Sequence, residues 1–159
     1  QRQMCIRDRA CRDWPLEKWD LLAQKLINCG YDVYFISSEK DCSLISNLES
    51  LDLGALIYKD INNDVFQLNK IIDFSICLDS FSTHLSHFLR VPSLTLFGAS
   101  HPELFLTTTT KSVSTDGDCN FYPCYNKPKC INSPQQYSCV TSISVDQVLS
   151  IFETRLKLL

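Results

Sequence analysis

Glycine is scarce: the 159-residue sequence contains four, Gly30, Gly54, Gly98 and Gly117. Neither G-x-G-x-x-G nor G-x-x-x-x-G-K-[ST] can be written anywhere, which excludes the glycine-rich cradles of a dinucleotide fingerprint and of a P-loop. Basic excess is also lacking, with 15 Lys and Arg against 18 Asp and Glu for a net charge of -3. There is no electrostatic footprint of a nucleic-acid binder. No apolar run approaches the roughly 20 residues of a membrane span, so no transmembrane segment is expected. Residues 1–9 (QRQMCIRDR) carry charge at every second or third position and hold no apolar core of a secretory signal. What remains is ordinary, at 45% hydrophobic and 21% charged residues, enough for the core of one domain.

Without an export signal the nine cysteines are expected to be reduced. Cys5, Cys11, Cys29, Cys42 and Cys77 are scattered among apolar or helical positions and read as small packing residues. Cys119, Cys124, Cys130 and Cys139 cluster instead in a loop that also holds Pro123, Pro128 and Pro134. The last pair is too widely spaced for a typical zinc site, so no metal is expected and the thiols are read as structural.

Helical periodicity predicts a helix from Pro15 to Cys29, with Pro15 in its first turn and Gly30 as its C-terminal cap. A strand over Asp32 to Ser37, a helix over Ser43 to Leu51, a weak strand over Ala55 to Tyr58 and a helix over Asn63 to Ile72 follow. Phe74 to Leu78 reads as a strand ending at Asp79, and Ser82 to Leu89 as a helix with Leu85, Phe88 and Leu89 inward. Ser93 to Phe97 reads as a strand stopping at Gly98, then a long loop that includes the run Thr107 to Thr110. Ser144 and Gln147 form a capping box for a closing helix whose apolar face carries Val148, Leu149, Phe152 and Leu156. Strands alternating with helices imply an α/β fold, a Rossmann-like parallel sheet with helices on both faces. Ligand groups belong at the carboxyl ends of the strands, which points to Asp79 and Gly98.

The segment Asp79-Ser80-Phe81-Ser82-Thr83-His84 packs an acid, three hydroxyls and an imidazole into a strand-to-helix junction. The unpaired first amides of a helix and its dipole favour an anion, so a phosphate could sit on Ser80 to Thr83 with Asp79 toward sugar hydroxyls. The plainer reading is a helix capped by Ser80 or Ser82 with His84 as a packing residue. Spacing does not choose between them. A Ser–His hydrolase gains no support, because there is no G-x-S-x-G elbow.

Asp79-Ser-Phe-Ser-Thr-His84-Leu85, then Leu94-Thr-Leu-Phe-Gly98 and Pro102, resembles glycosyltransferase family 9, the ADP-heptose:lipopolysaccharide heptosyltransferases. That family has Asp-[Ser/Thr]-Gly-x-x-His-Leu followed by Pro-x-x-x-Leu-Phe-Gly. Arg12-Asp-Trp-Pro15 with Trp19 resembles its Lys-x-Trp-Pro opening, Cys124 to Cys139 its cysteine-containing loop, and Ile143-Ser-Val-Asp-Gln-Val148 the start of its closing helix. The resemblance implies the C-terminal, donor-binding domain of a GT-B glycosyltransferase over residues 10–159. Residues 1–9 resemble a translated sequencing adapter and are set apart as non-native. The N-terminal acceptor domain, with the catalytic base, is then expected to be absent from the chain.

By the same resemblance, Asp79 and the backbone of Ser80, Phe81 and Ser82 would meet the sugar and diphosphate, with Thr83 in the same turn, and His84 would brace it. Arg12 stands where the family has a phosphate-contacting lysine, Gly98 lies in the loop after the strand, and Glu39 or Asp41 would meet the ribose. The implied partners are an ADP-sugar and, through the other domain, a lipopolysaccharide-core glycolipid, with no metal or cofactor. The implied location is cytoplasmic, peripheral at the inner membrane face. The family glycine is Phe81 here, where a side chain can crowd a diphosphate or bar a positive φ. That departure keeps two alternatives open, a non-catalytic nucleotide-binding module and a GT-B enzyme using a uridine sugar nucleotide.

Overall fold

Pro15 caps the first helix, α1 (Leu16–Asn28), with its φ of -55° already suited to the entry. The helix stops in a Schellman motif: Tyr31 N–H donates to Leu26 C=O at 3.1 Å and Gly30 N–H to Ile27 C=O at 2.8 Å. Gly30 takes the positive φ, +88°, that this motif needs at no steric cost. Leu22, Ala23 and Leu26 form its buried stripe. Cys29, expected as a packing residue, is exposed instead, at the C-cap position where the helix ends.

The computed structural model describes residues 10–36, 56–58, 70–105, 107, 110–115, 119–125 and 127–156. The chain falls into two compact units, Pro15–Leu68 and Gln1–Trp14 with Asn69–Leu159. In the first unit, β1 (Tyr34–Ile36) pairs in parallel with β2 (Leu56–Tyr58), Phe35 opposite Ile57. The helix predicted over residues 43–51 and the adapter-like residues 1–9 lie outside the described residues, as do Cys5 and Cys42.

The second unit is built on three parallel strands, β3 (Ser75–Leu78), β4 (Ser93–Phe97) and β5 (Thr110–Ser114), with β4 in the centre. All five residues of β4 are buried, as a central parallel strand covered on both faces requires. Leu94, Leu96 and Phe97 each contribute about 1.5–3 kcal/mol by burial. The strand β5 was expected as loop. Its sequence, Thr-Lys-Ser-Val-Ser, has one apolar residue, and pairing with β4 decides its state. Ser93 Oγ donates to Thr110 Oγ1 at 3.2 Å between the two strands.

Helix α2 (Phe81–Phe88) leads from β3 back to β4 and buries an unexpected face. Thr83 and Ser86 are its buried residues, whereas Phe88, expected inward, is exposed. Burial is affordable for both hydroxyls because each is satisfied: Thr83 Oγ1 donates to Leu78 C=O at 2.7 Å and Ser86 Oγ to Ser82 C=O at 2.9 Å. Arg90, at a φ of 58°, closes the helix as Gly30 closes α1, with Val91 N–H donating to Ser86 C=O at 2.9 Å.

A short helix, α3 (Ser138–Thr141), precedes the last, α4 (Val145–Leu156). The capping box forms as read from the sequence: Gln147 N–H donates to Ser144 Oγ at 3.1 Å and Ser144 N–H to Gln147 Oε1 at 2.7 Å. Val148 and Phe152 are buried, and the Phe152 ring meets Phe74 edge-on at 5.1 Å. The architecture is α/β, parallel strands with helices, as the alternation predicts. No helix among the described residues is long and apolar enough to cross a membrane.

Candidate functional site

The carboxyl ends of β3 and β4 lie side by side, since Leu78 is opposite Leu96 in the parallel register. Asp79 follows the first strand and Gly98-Ala-Ser100 the second. A 3-10 turn, Ala10–Arg12, lies against this edge and brings in a cation. Arg12 Nη1 donates to Asp79 C=O at 2.9 Å, Nη2 donates to Ser100 Oγ at 3.2 Å, and Nε stands 3.5 Å from Asp79 Oδ2. The arginine side chain is 19% exposed and the aspartate 6%, so the pair is largely withdrawn from water, with part of the arginine side chain still accessible.

Gly98 explains how the turn comes so close. A Cβ there would stand 2.7 Å from the Cys11 carbonyl oxygen and 2.9 Å from Val140 Cβ, distances that real side chains do not tolerate. Glycine at 98 therefore admits the backbone of Cys11, and with it Arg12, onto the strand end. Trp14 pins the other side of the segment, its buried Nε1–H donating to Ile143 C=O at 3.0 Å. The residue read as a ligand-side glycine thus acts in this structure through backbone packing.

The turn into α2 is self-contained. Ser80 is the N-cap, accepting from Ser82 N–H at 3.4 Å, with its Oγ 2.8 Å from Ser82 Oγ. Thr83 N–H donates to Ser80 C=O at 3.2 Å. The bracing falls to Thr83, whose hydroxyl bonds Leu78 C=O and lies 3.1 Å from Thr95 Oγ1. His84, expected as the brace, is exposed and meets the Phe105 ring edge-on at 6.1 Å. Phe81 occupies the first helical position, is 65% exposed, and its backbone is not in the positive-φ region. The conformational objection to a side chain at 81 therefore does not apply. Glu39 and Asp41 lie outside the described residues.

The cysteine loop is tied to the same strand end. Cys124 and Tyr125 N–H groups both donate to Ala99 C=O, at 3.1 and 2.8 Å, and the Tyr122 hydroxyl donates to Ser100 C=O at 3.4 Å. Cys119, Cys124, Cys130 and Cys139 are all free thiols, the last two buried. Burial, reinforced by charge repulsion from the neighbouring thiols, pushes Cys139 up to about 11, and Cys124 moves in the same direction for the same first cause. Such thiols stay protonated at neutral pH and are poor nucleophiles.

Two shallow clefts adjoin β5. One, of about 550 Å³, lies between Ser112 to Ser114 and the first turns of α4; the other, of about 480 Å³, is lined by His101, Glu103, Ser114 and Tyr122. Neither includes Arg12 or Asp79. Sequence reading named Arg12 and Asp79 separately but not their pairing, and it missed Ser100, whose one signal was its place just past the carboxyl end of β4.

The model for glycosyltransferase family 9 (heptosyltransferase) matches residues 7–134. No curated protein matches the sequence. Among solved structures, the E. coli ADP-heptose lps heptosyltransferase II superposes with a TM-score of 0.67 at 18% identity, over 91% of this chain and 42% of that one. The iron-containing dodecameric glycosyltransferase TibC from enterotoxigenic E. coli gives a TM-score of 0.72 at 19% identity, over 94% and 43%. The family 9 glycosyltransferase of Veillonella parvula gives 0.66 at 19%, over 91% and 42%. At these identities the likeness establishes a shared fold, and the chain spans less than half the length of each of these proteins.

Proposed function

The chain belongs to glycosyltransferase family 9, and from that premise we propose that it supplies the donor-binding half of a heptosyltransferase-type enzyme. The donor is an ADP-sugar with a heptose-like group, and the acceptor, held by another domain, is a lipopolysaccharide-core or related glycan. The observation that carries this reading is Arg12, a part-exposed arginine whose guanidinium is fixed at the adjoining carboxyl ends of two parallel strands. A ligand crevice in an open α/β sheet belongs at that edge. Arg12 keeps the charge of the family lysine and adds a planar fork suited to phosphate.

In this reading the diphosphate lies between Arg12 and the start of α2, whose dipole favours negative charge. The Ser82 and Thr83 amides already engage Ser80, so Arg12 carries more of the leaving-group stabilisation than the helix does. Asp79 fixes the arginine and presents a carboxylate beside the sugar. A base from another domain would deprotonate the acceptor hydroxyl. The proposal assigns no metal, places the protein at the cytoplasmic face of the membrane, and expects the 159-residue chain to bind nucleotide without turning over.

Calorimetric titration of ADP and UDP into the chain tests this. Tighter binding of ADP, weakened about tenfold or more in Arg12→Ala, supports the proposal. Preference for UDP favours a uridine sugar nucleotide, and binding of neither favours a non-catalytic module.

A further inference from the structure

Ser100 is fully buried, carries no charge and belongs to none of the motifs that point to the donor site, yet its hydroxyl accepts from Arg12 Nη2 at 3.2 Å. The opposite edge of the guanidinium is held by Asp79, through Nη1 to the backbone carbonyl and Nε beside Oδ2. One anchor would leave a long side chain free to turn about its last torsions. Two acceptors from the ends of different strands fix the plane of the group.

Ser100 itself has little freedom. Its carbonyl accepts from the Tyr122 hydroxyl, and the preceding Ala99 carbonyl accepts from both Cys124 and Tyr125 N–H. The cysteine-containing loop thereby clamps residues 99 and 100 from outside, and Gly98 brings Arg12 against them from the other side. Orientation is what distinguishes a guanidinium that meets a phosphate with two parallel N–H groups from one that meets it as a diffuse charge.

We propose that Ser100 is a positioning residue for donor binding, setting the plane in which Arg12 meets the diphosphate of a nucleotide. This rests on the reading of Arg12 as the diphosphate-binding cation. Ser100 touches no substrate in it and acts only through the arginine.

The test is a double-mutant cycle read by ADP affinity on the full 159-residue chain, with Arg12→Ala, Ser100→Ala and both together. Ser100→Cys joins the set because it keeps the side-chain shape while replacing the hydroxyl by a poor acceptor, so it separates orientation from packing. Thermal melts show which variants fold. Ser100→Ala and Ser100→Cys are expected to weaken ADP by about fivefold, less than removal of the arginine itself, because the guanidinium stays in place and loses only its fixed plane. In the Arg12→Ala background the same serine change is expected to cost less than about twofold, because coupled residues are not additive.

Parent-like affinity in Ser100→Cys, or an undiminished serine effect without the arginine, overturns the proposal while leaving the reading of Arg12 in place. Parent-like affinity in Arg12→Ala, or no ADP binding by the parent chain, overturns that reading and this proposal with it.

Discussion

Arg12 bonds the backbone carbonyl of Asp79 at 2.9 Å and sets its Nε 3.5 Å from the carboxylate Oδ2 of the same residue. That oxygen is buried and accepts no hydrogen bond from the described residues, so its charge is balanced by the guanidinium across this gap. Removing either member leaves the other buried with reduced compensation. Asp79→Ala and Arg12→Ala are each expected to lower the unfolding free energy by about 3 kcal/mol, measured by urea denaturation. Losses below about 1 kcal/mol would show that the pair is solvated in a way this geometry does not describe.

Gly98→Ala tests the close approach of the Cys11 segment. The added methyl meets the Cys11 carbonyl oxygen at 2.7 Å and Val140 Cβ at 2.9 Å, and both belong to packed elements. A cost of about 1–3 kcal/mol is expected in the same assay, together with weaker ADP binding as Arg12 is pushed off the strand end.

Thr83→Val keeps shape and loses the hydroxyl that bonds Leu78 C=O at 2.7 Å and lies 3.1 Å from Thr95 Oγ1. The stranded acceptors should cost about 1–2 kcal/mol. His84→Ala, at an exposed position, should stay within about 0.5 kcal/mol of the parent. The reverse order would return the brace of the turn to His84.

Cys139 gives stability a pH dependence of definite sign. Its thiol is raised from 9.0 to about 11, so between those values the unfolded chain loses a proton that the folded chain keeps. The folded state binds more protons there, and stability contributed by this group falls as pH rises through the window. The urea midpoint of the parent should therefore drop more steeply from pH 9 to 11 than that of Cys139→Ala. Equal slopes would place the thiol in a more polar setting than its burial indicates.

Much of this arrangement is legible in sequence, and the residues show why some is not. Ser144 and Gln147 announce their helix because a capping box is local chemistry, and Ser93 to Phe97 reads as a strand because Leu94, Leu96 and Phe97 make a short, mostly apolar run that stops at a glycine. The strand at Thr110 to Ser114 carries no such pattern and exists through its pairing with β4. On α2, periodicity selects Leu85 and Phe88, whereas the buried residues are Thr83 and Ser86, whose hydroxyls find acceptors that only the folded chain supplies. The Arg12–Asp79 pair spans 67 positions, and no spacing rule connects residues so far apart. The motif resemblance named both residues, and tertiary structure joined them.

The most direct measurement is an amide and arginine side-chain NMR titration of the chain with ADP. The account predicts that the largest shifts fall on Arg12 Nε, Asp79, Phe81 and Ser100, around the carboxyl ends of β3 and β4. Shifts concentrated instead on Ser112, Ser114, Asp146 and Ser150, in the cleft between β5 and α4, with Arg12 unmoved, would contradict it.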